Sequence, residues 1–202
     1  IGAHFFEGIV PWDDDIDVGM TRENYERFLR EAPALLDEGY VLQEFTTERD
    51  TPFYFAKVRK RGTRFVESEW VGLPIEEGIY VDIFPYDIIP DDEVLARRQR
   101  RRVGFLVNCF MAKSVWLWRW FGKANNGVVF PKSWLSCAAI RLMCATHSKE
   151  RIYELLRREL TRYNDSGASR YNIVRMPKDM IAVEAIRNPE RRLFGNMEVW
   201  AP

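Results

Sequence analysis

Two hydrophobic periods alternate along the chain. From residue 25 to 36 the apolar positions Tyr25, Phe28, Leu29, Ala32, Leu35 and Leu36 recur at helical spacing and fall on one face. Thr21 stands where an N-cap belongs, Pro33 should kink or interrupt the helix, and Gly39 is a natural stop. From residue 40 the pattern becomes strand-like. Residues 40–46, 53–59, 64–68 and 79–84 are rich in β-branched and aromatic side chains, with Gly62, Gly72, Pro74 and Gly78 as punctuation. Helical character returns over 91–122 and 132–163, on either side of Asn125-Asn126-Gly127. After a loop at Asp165-Ser166-Gly167, residues 171–175 should rejoin the sheet. Ahead of all these, Pro11 marks a turn that leads into a short strand ending near Gly19.

This order predicts one α+β domain over 1–202: a mixed β-sheet flanked by helices, with a helical region after the sheet. A sheet-rich part covers 1–90, a mainly helical part 91–165, and a return segment 166–202. With 202 residues, 47% of them apolar, there is material for one core. Thirty basic residues balance thirty acidic ones, so the overall charge gives no reason to expect nucleic acid as a partner, and any charge argument is local. Cys109, Cys137 and Cys144 are odd in number and form no Cys-x-x-Cys pair, which reads as thiols in a reducing, cytoplasmic setting. The most apolar stretch, 103–121, is interrupted by Asn108, Lys113 and Arg119 and does not reach the run of about 18 needed for a membrane span. Neither Ile1 nor Pro202 reads as a natural terminus, so the chain is taken as a fragment.

Local charge is concentrated at Asp13-Asp14-Asp15-Ile16-Asp17. On a strand, Asp13, Asp15 and Asp17 share one face, while Ile16 and Val18 on the other would anchor it in the core. Crowded carboxylates repel and raise one another's pKa, and a divalent cation relieves this. Asp82 lies in the apolar run Ile79-Tyr80-Val81-Asp82-Ile83-Phe84, where a lone carboxylate costs several kcal/mol unless it is neutralised. An Asp-x-Asp pair, Asp15 and Asp17, with Asp82 on a neighbouring strand suits metal-assisted phosphoryl chemistry, and all-oxygen ligands favour Mg²⁺ or Mn²⁺. A solvated Asp-rich turn is the plain alternative. A calcium loop is excluded, because its sixth and twelfth positions, which need Gly and Glu, hold Val18 and Asn24.

Other positive groups are candidates for anion contacts. Lys57, Arg59 and Arg64, on strands near the acidic motifs, are assigned to phosphates of the substrate, against the plain reading of a solvated sheet edge. The run Arg97, Arg98, Arg100, Arg101 and Arg102, followed by Trp116, Trp118 and Trp120, reads as a solvated helix face. Its alternative is a peripheral contact with the inner face of a membrane. His147 reads as structural, and neither it nor His4 belongs to a Ser-His-Asp arrangement.

The string Gly8-Ile9-Val10-Pro11-Trp12-Asp13-Asp14-Asp15-Ile16-Asp17-Val18 closely resembles the signature of the LicD family, which includes fukutin and fukutin-related protein. Residues 21–28 resemble that family's following helix, and Gly78-Ile79-Tyr80-Val81-Asp82-Ile83-Phe84-Pro85-Tyr86-Asp87 its second motif. The family usually has an Arg-His pair where this chain has Phe5 and Phe6. The resemblance implies a nucleotidyltransferase-like fold, with Asp15, Asp17 and Asp82 around the metal, Asp13 as accessory ligand, and Gly2 and Trp12 beside the substrate. It further implies CDP-choline or another CDP-alcohol as donor, and a saccharide or lipid-linked glycan of the cell envelope as acceptor. Two other functions fit the same residues: sugar transfer at an Asp-x-Asp metal site, and a degenerate domain that binds a glycan or partner without turnover.

Overall fold

In the computed structural model, the described residues are 5–12, 15–68, 70–115, 134–173 and 180–202. In chain order the strands are β1 (Asp17–Thr21), β2 (Tyr40–Gln43), β3 (Ala56–Lys60), β4 (Tyr80–Ile89), β5 (Arg170–Ile173), β6 (Met180–Ala182), β7 (Glu190–Phe194) and β8 (Met197–Ala201). The helices are α1 (Arg22–Leu35), α2 (Glu93–Ala112), α3 (Trp134–Thr146), α4 (Lys149–Leu160) and α5 (Val183–Arg187). The fold is α+β, with helices following the sheet as the pattern predicts.

The ten-residue β4 organises the main sheet. It runs parallel to β1, from Asp17 beside Asp82 to Thr21 beside Tyr86, and antiparallel to β3 and β5. β2 extends the sheet beyond β3, and β6 extends it beyond β5. One face is covered by α1, whose Tyr25 and Ala32 pack with Leu42, Ala56 and Ile83. Arg22, the first residue of α1, ties it to β4 by donating from Nε to Asp87 at 2.9 Å. The opposite face carries Asp17, Asp82 and Lys57, with Phe53, Phe55 and Phe84 packed beside them.

Several local expectations change. Val18 is 37% exposed and does not anchor β1; Met20 packs against the α1 cluster instead. Among the described residues β1 pairs with β4 alone, so its first positions are covered on one edge only. Residues 64–68 form a loop, held near Glu77 by one backbone bond from Phe65, because Glu67 turns towards buried cations on β3. Pro33 lies inside α1, which ends two residues later at Leu35. The helix expected over 132–163 is two helices, α4 beginning anew where the Ser148 side chain accepts from the backbone N–H of Arg151.

Asp92 caps α2 in the same way, accepting from Val94 and Leu95, both at 2.8 Å. Phe45, Cys109, Phe110, Ile140 and Ile152 then bind α2, α3 and α4 into a second core. Within the arginine run, Arg100 reaches Glu93 and Arg102 reaches Glu159, so part of it is spent on ion pairs. Trp116, Trp118 and Trp120 lie outside the described residues. No described helix is long and apolar enough to cross a membrane.

Two glycines should respond in opposite directions. A Cβ on Gly78 would meet the Lys60 carbonyl oxygen at 2.3 Å, whereas one on Gly104 of α2 meets nothing within 4 Å. In chemical denaturation, Gly78→Ala should cost about 1–3 kcal/mol. Gly104→Ala should gain about 0.5–1 kcal/mol, by removing backbone freedom from the unfolded chain.

Candidate active site

β1 and β4 place the acidic motifs next to each other. The backbone N–H of Asp82 donates to the carbonyl of Ile16 at 2.9 Å, so sheet bonding starts between Asp15 and Asp17. Each of Asp15, Asp17 and Asp82 offers a carboxylate oxygen, and these oxygens lie within 4.8 Å of one another. Asp82 is wholly buried, Asp15 partly so, and Asp17 is exposed, which gives the cluster a rigid floor and an open side. Three hard oxygen donors converging at that distance fit a divalent cation such as Mg²⁺ or Mn²⁺. Asp13 and Gly2 lie outside the described residues.

The floor has a counter-charge that sequence reasoning did not anticipate. Lys57 is the β3 residue opposite Asp82, and its Nζ lies 2.8 Å from Asp82 Oδ1, with both side chains fully buried. The same ammonium is 3.3 Å from Glu67 Oε2 and sits 3.4 Å from the centre of the Tyr80 ring. Burial pulls the Lys57 pKa down, while the charges of Asp82 and Glu67 push it back up. A carboxylate has two oxygens, so the ion pair with Lys57 does not by itself prevent Asp82 from serving a cation.

Arg59, two residues along the same face, is spent inside the fold. Its Nε donates to Gln43 at 2.5 Å and its Nη1 to the Gly78 carbonyl at 2.7 Å, while Nη2 lies 3.4 Å from Glu67. Gln43 in turn donates to Glu48 and to the Glu76 carbonyl. Tyr80 closes this group, and its phenol pKa is raised by burial and then by the charges of Glu67 and Asp82.

The assignment of Lys57 and Arg59 to donor phosphates therefore needs correction. Both are sealed in the sheet, and their charge balances Asp82 and Glu67. Arg64 stands on the exposed loop and pairs with Glu77 at 3.2 Å. Trp12 is 80% exposed and meets Phe6 edge to face, with ring centres 5.3 Å apart. Tyr80 was legible in principle, since it alternates with Asp82 on β4 and so shares its face. Glu67 carried no signal, because only the tertiary fold brings its loop to β3.

Residues 1–147 match the family model described as LicD/FKTN/FKRP, nucleotidyltransferase domain. The chain belongs to the LicD family. Among curated proteins it is similar to the lipopolysaccharide cholinephosphotransferase LicD of Haemophilus influenzae, with 32% identity over 99 residues. That match takes in 46% of this chain and 34% of the relative, so the chain spans about a third of the LicD relative's length. No solved structure matches the chain.

Lys57→Met leaves the Asp82 carboxylate buried without its ammonium. The expected result is a loss of about 3–5 kcal/mol in unfolding free energy. A variant with unchanged stability and only weaker nucleotide binding would return Lys57 to the phosphate role.

Proposed function

We propose that the chain carries the catalytic sheet of a metal-dependent transferase that moves a phospho-alcohol, foremost phosphocholine, from a CDP-alcohol to a hydroxyl of a cell-envelope glycan. The observation that carries this reading is the meeting of Asp15, Asp17 and Asp82 on one sheet face. The family match supports the transferase class, and the relative's name, lipopolysaccharide cholinephosphotransferase, supports the phosphocholine and the envelope acceptor.

Asp15, Asp17 and Asp82 are the residues that would hold the cation. When bound, Mg²⁺ or Mn²⁺ supplies charge neutralisation at the transferred phosphate and at the leaving CMP. The chain's own contribution is to fix those ligands. Asp82 is held by the β4 ladder and by Lys57, so its carboxylate needs little reorganisation. Asp17 opens to solvent at the start of β1, the side from which donor and acceptor can approach. The acceptor hydroxyl attacks the phosphorus bearing the alcohol, forming a new P–O bond as the bond to CMP breaks, and the hydroxyl proton is released to solvent. A lipid-linked acceptor would bring the protein to the inner membrane surface as a peripheral visitor.

CMP release from CDP-choline, CDP-glycerol and CDP-ribitol tests this, with Mg²⁺ or EDTA and a glycan acceptor present. The expected outcome is release that EDTA abolishes and that Asp17→Asn lowers at least about a hundredfold. Release of a nucleoside diphosphate from a nucleotide sugar, with no CMP from any CDP-alcohol, would instead place the chain among sugar transferases.

A further inference from the structure

Tyr86 lies four residues beyond Asp82 on β4, so the pleat turns both side chains to the same face. The β1 register sets Asp17 beside Asp82, Gly19 beside Phe84 and Thr21 beside Tyr86. The phenol does not stand over its own partner. It leans back along β1 until its outer end lies over Gly19, where an added Cβ would come 2.0 Å from the hydroxyl oxygen and 2.5 Å from ring carbon Cε2. Successive positions on one strand face are about 6–7 Å apart, so the lean carries the hydroxyl one full position towards Asp17. The Asp17 charge is felt there: together with burial, the larger cause, it raises the phenol's pKa. Tyr171 flanks the ring, with centres 6.3 Å apart.

The carboxylates of this face accept hydrogen bonds, whereas a bound phosphate needs donors. Lys57 and Arg59 are sealed in the sheet, which removes the two nearest cations of β3 from that task. Tyr86 is half-buried, and its hydroxyl makes no hydrogen bond among the described residues. Only a residue without a Cβ at position 19 leaves the phenol this path.

We propose that the Tyr86 hydroxyl is a substrate-contacting donor, bonding a phosphate oxygen of the nucleotide held at Asp15, Asp17 and Asp82, and that Gly19 is the gap through which it reaches. This rests on the phosphoryl-transfer reading above. The competing role is packing alone, with the ring filling space beside Tyr171. Tyr86→Phe separates the two, because it keeps the ring and removes the donor.

The test compares wild type, Tyr86→Phe and Gly19→Ala for CMP release from CDP-choline in Mg²⁺, with melting temperature as control. Tyr86→Phe should lower kcat/KM roughly tenfold to a hundredfold, the range for a lost bond to a charged group, with the melting temperature held. Gly19→Ala should reproduce the loss by pushing the phenol off β1. Wild-type release that Tyr86→Phe leaves unchanged overturns the proposal while the transferase reading stands. If wild type releases CMP from no donor, the transferase reading falls instead. Calorimetric titration with inorganic pyrophosphate and Mg²⁺ then decides: weaker binding by Tyr86→Phe supports the phenol's role, and equal binding overturns it.

Discussion

The fold around the candidate site depends on one buried ion pair. Lys57 and Asp82 face each other across β3 and β4, and neither side chain reaches solvent. Each charge would be costly alone, and the desolvation of either is offset only while the other is present. The pairing therefore favours a sheet register that sets Lys57 opposite Asp82. A slip of one residue would turn Asp82 towards the apolar face under α1 and leave Lys57 facing Val81 or Ile83. The same register fixes where Asp17 can lie, since β1 pairs with β4 at that position.

Around the pair, charges are arranged in opposition. Glu67 comes from a loop to serve both Lys57 and Arg59, and Arg59 is bound on its other side by Gln43 and the Gly78 carbonyl. Two cations and two anions thus balance inside the sheet, while Asp15 and Asp17 bring their charge to its more open end. This separation explains why Lys57 and Arg59 do not reach into solvent. They stabilise the floor of the site.

The chain's pattern was legible where a rule is local. Helical spacing located α1 and α2, but it ran α3 and α4 together, and the break between them follows from the cap that Ser148 forms. Alternation also put Asp82 on a definite strand face, and the structure brings it beside Asp15 and Asp17. What could not be read was register. That Lys57 opposes Asp82 is a property of two separate strands, and nothing in either segment alone states it. Residues 64–68 have strand-forming side chains, yet the demand of two buried cations for Glu67 outweighs that propensity. Tyr86 shows the same limit: its lean over Gly19 follows from a parallel pairing that sequence spacing does not reveal.

On the proposed reading, Asp15, Asp17 and Asp82 form one cation site whose buried floor is set by the sheet. Calorimetric titration of Mn²⁺ into the protein, with Asp82→Asn as the comparison, tests it without any substrate. Saturable binding that Asp82→Asn weakens at least about tenfold is expected, because a charged ligand is lost. Equal Mn²⁺ affinity in the two proteins would contradict it, and would reduce the three aspartates to a solvated acidic edge.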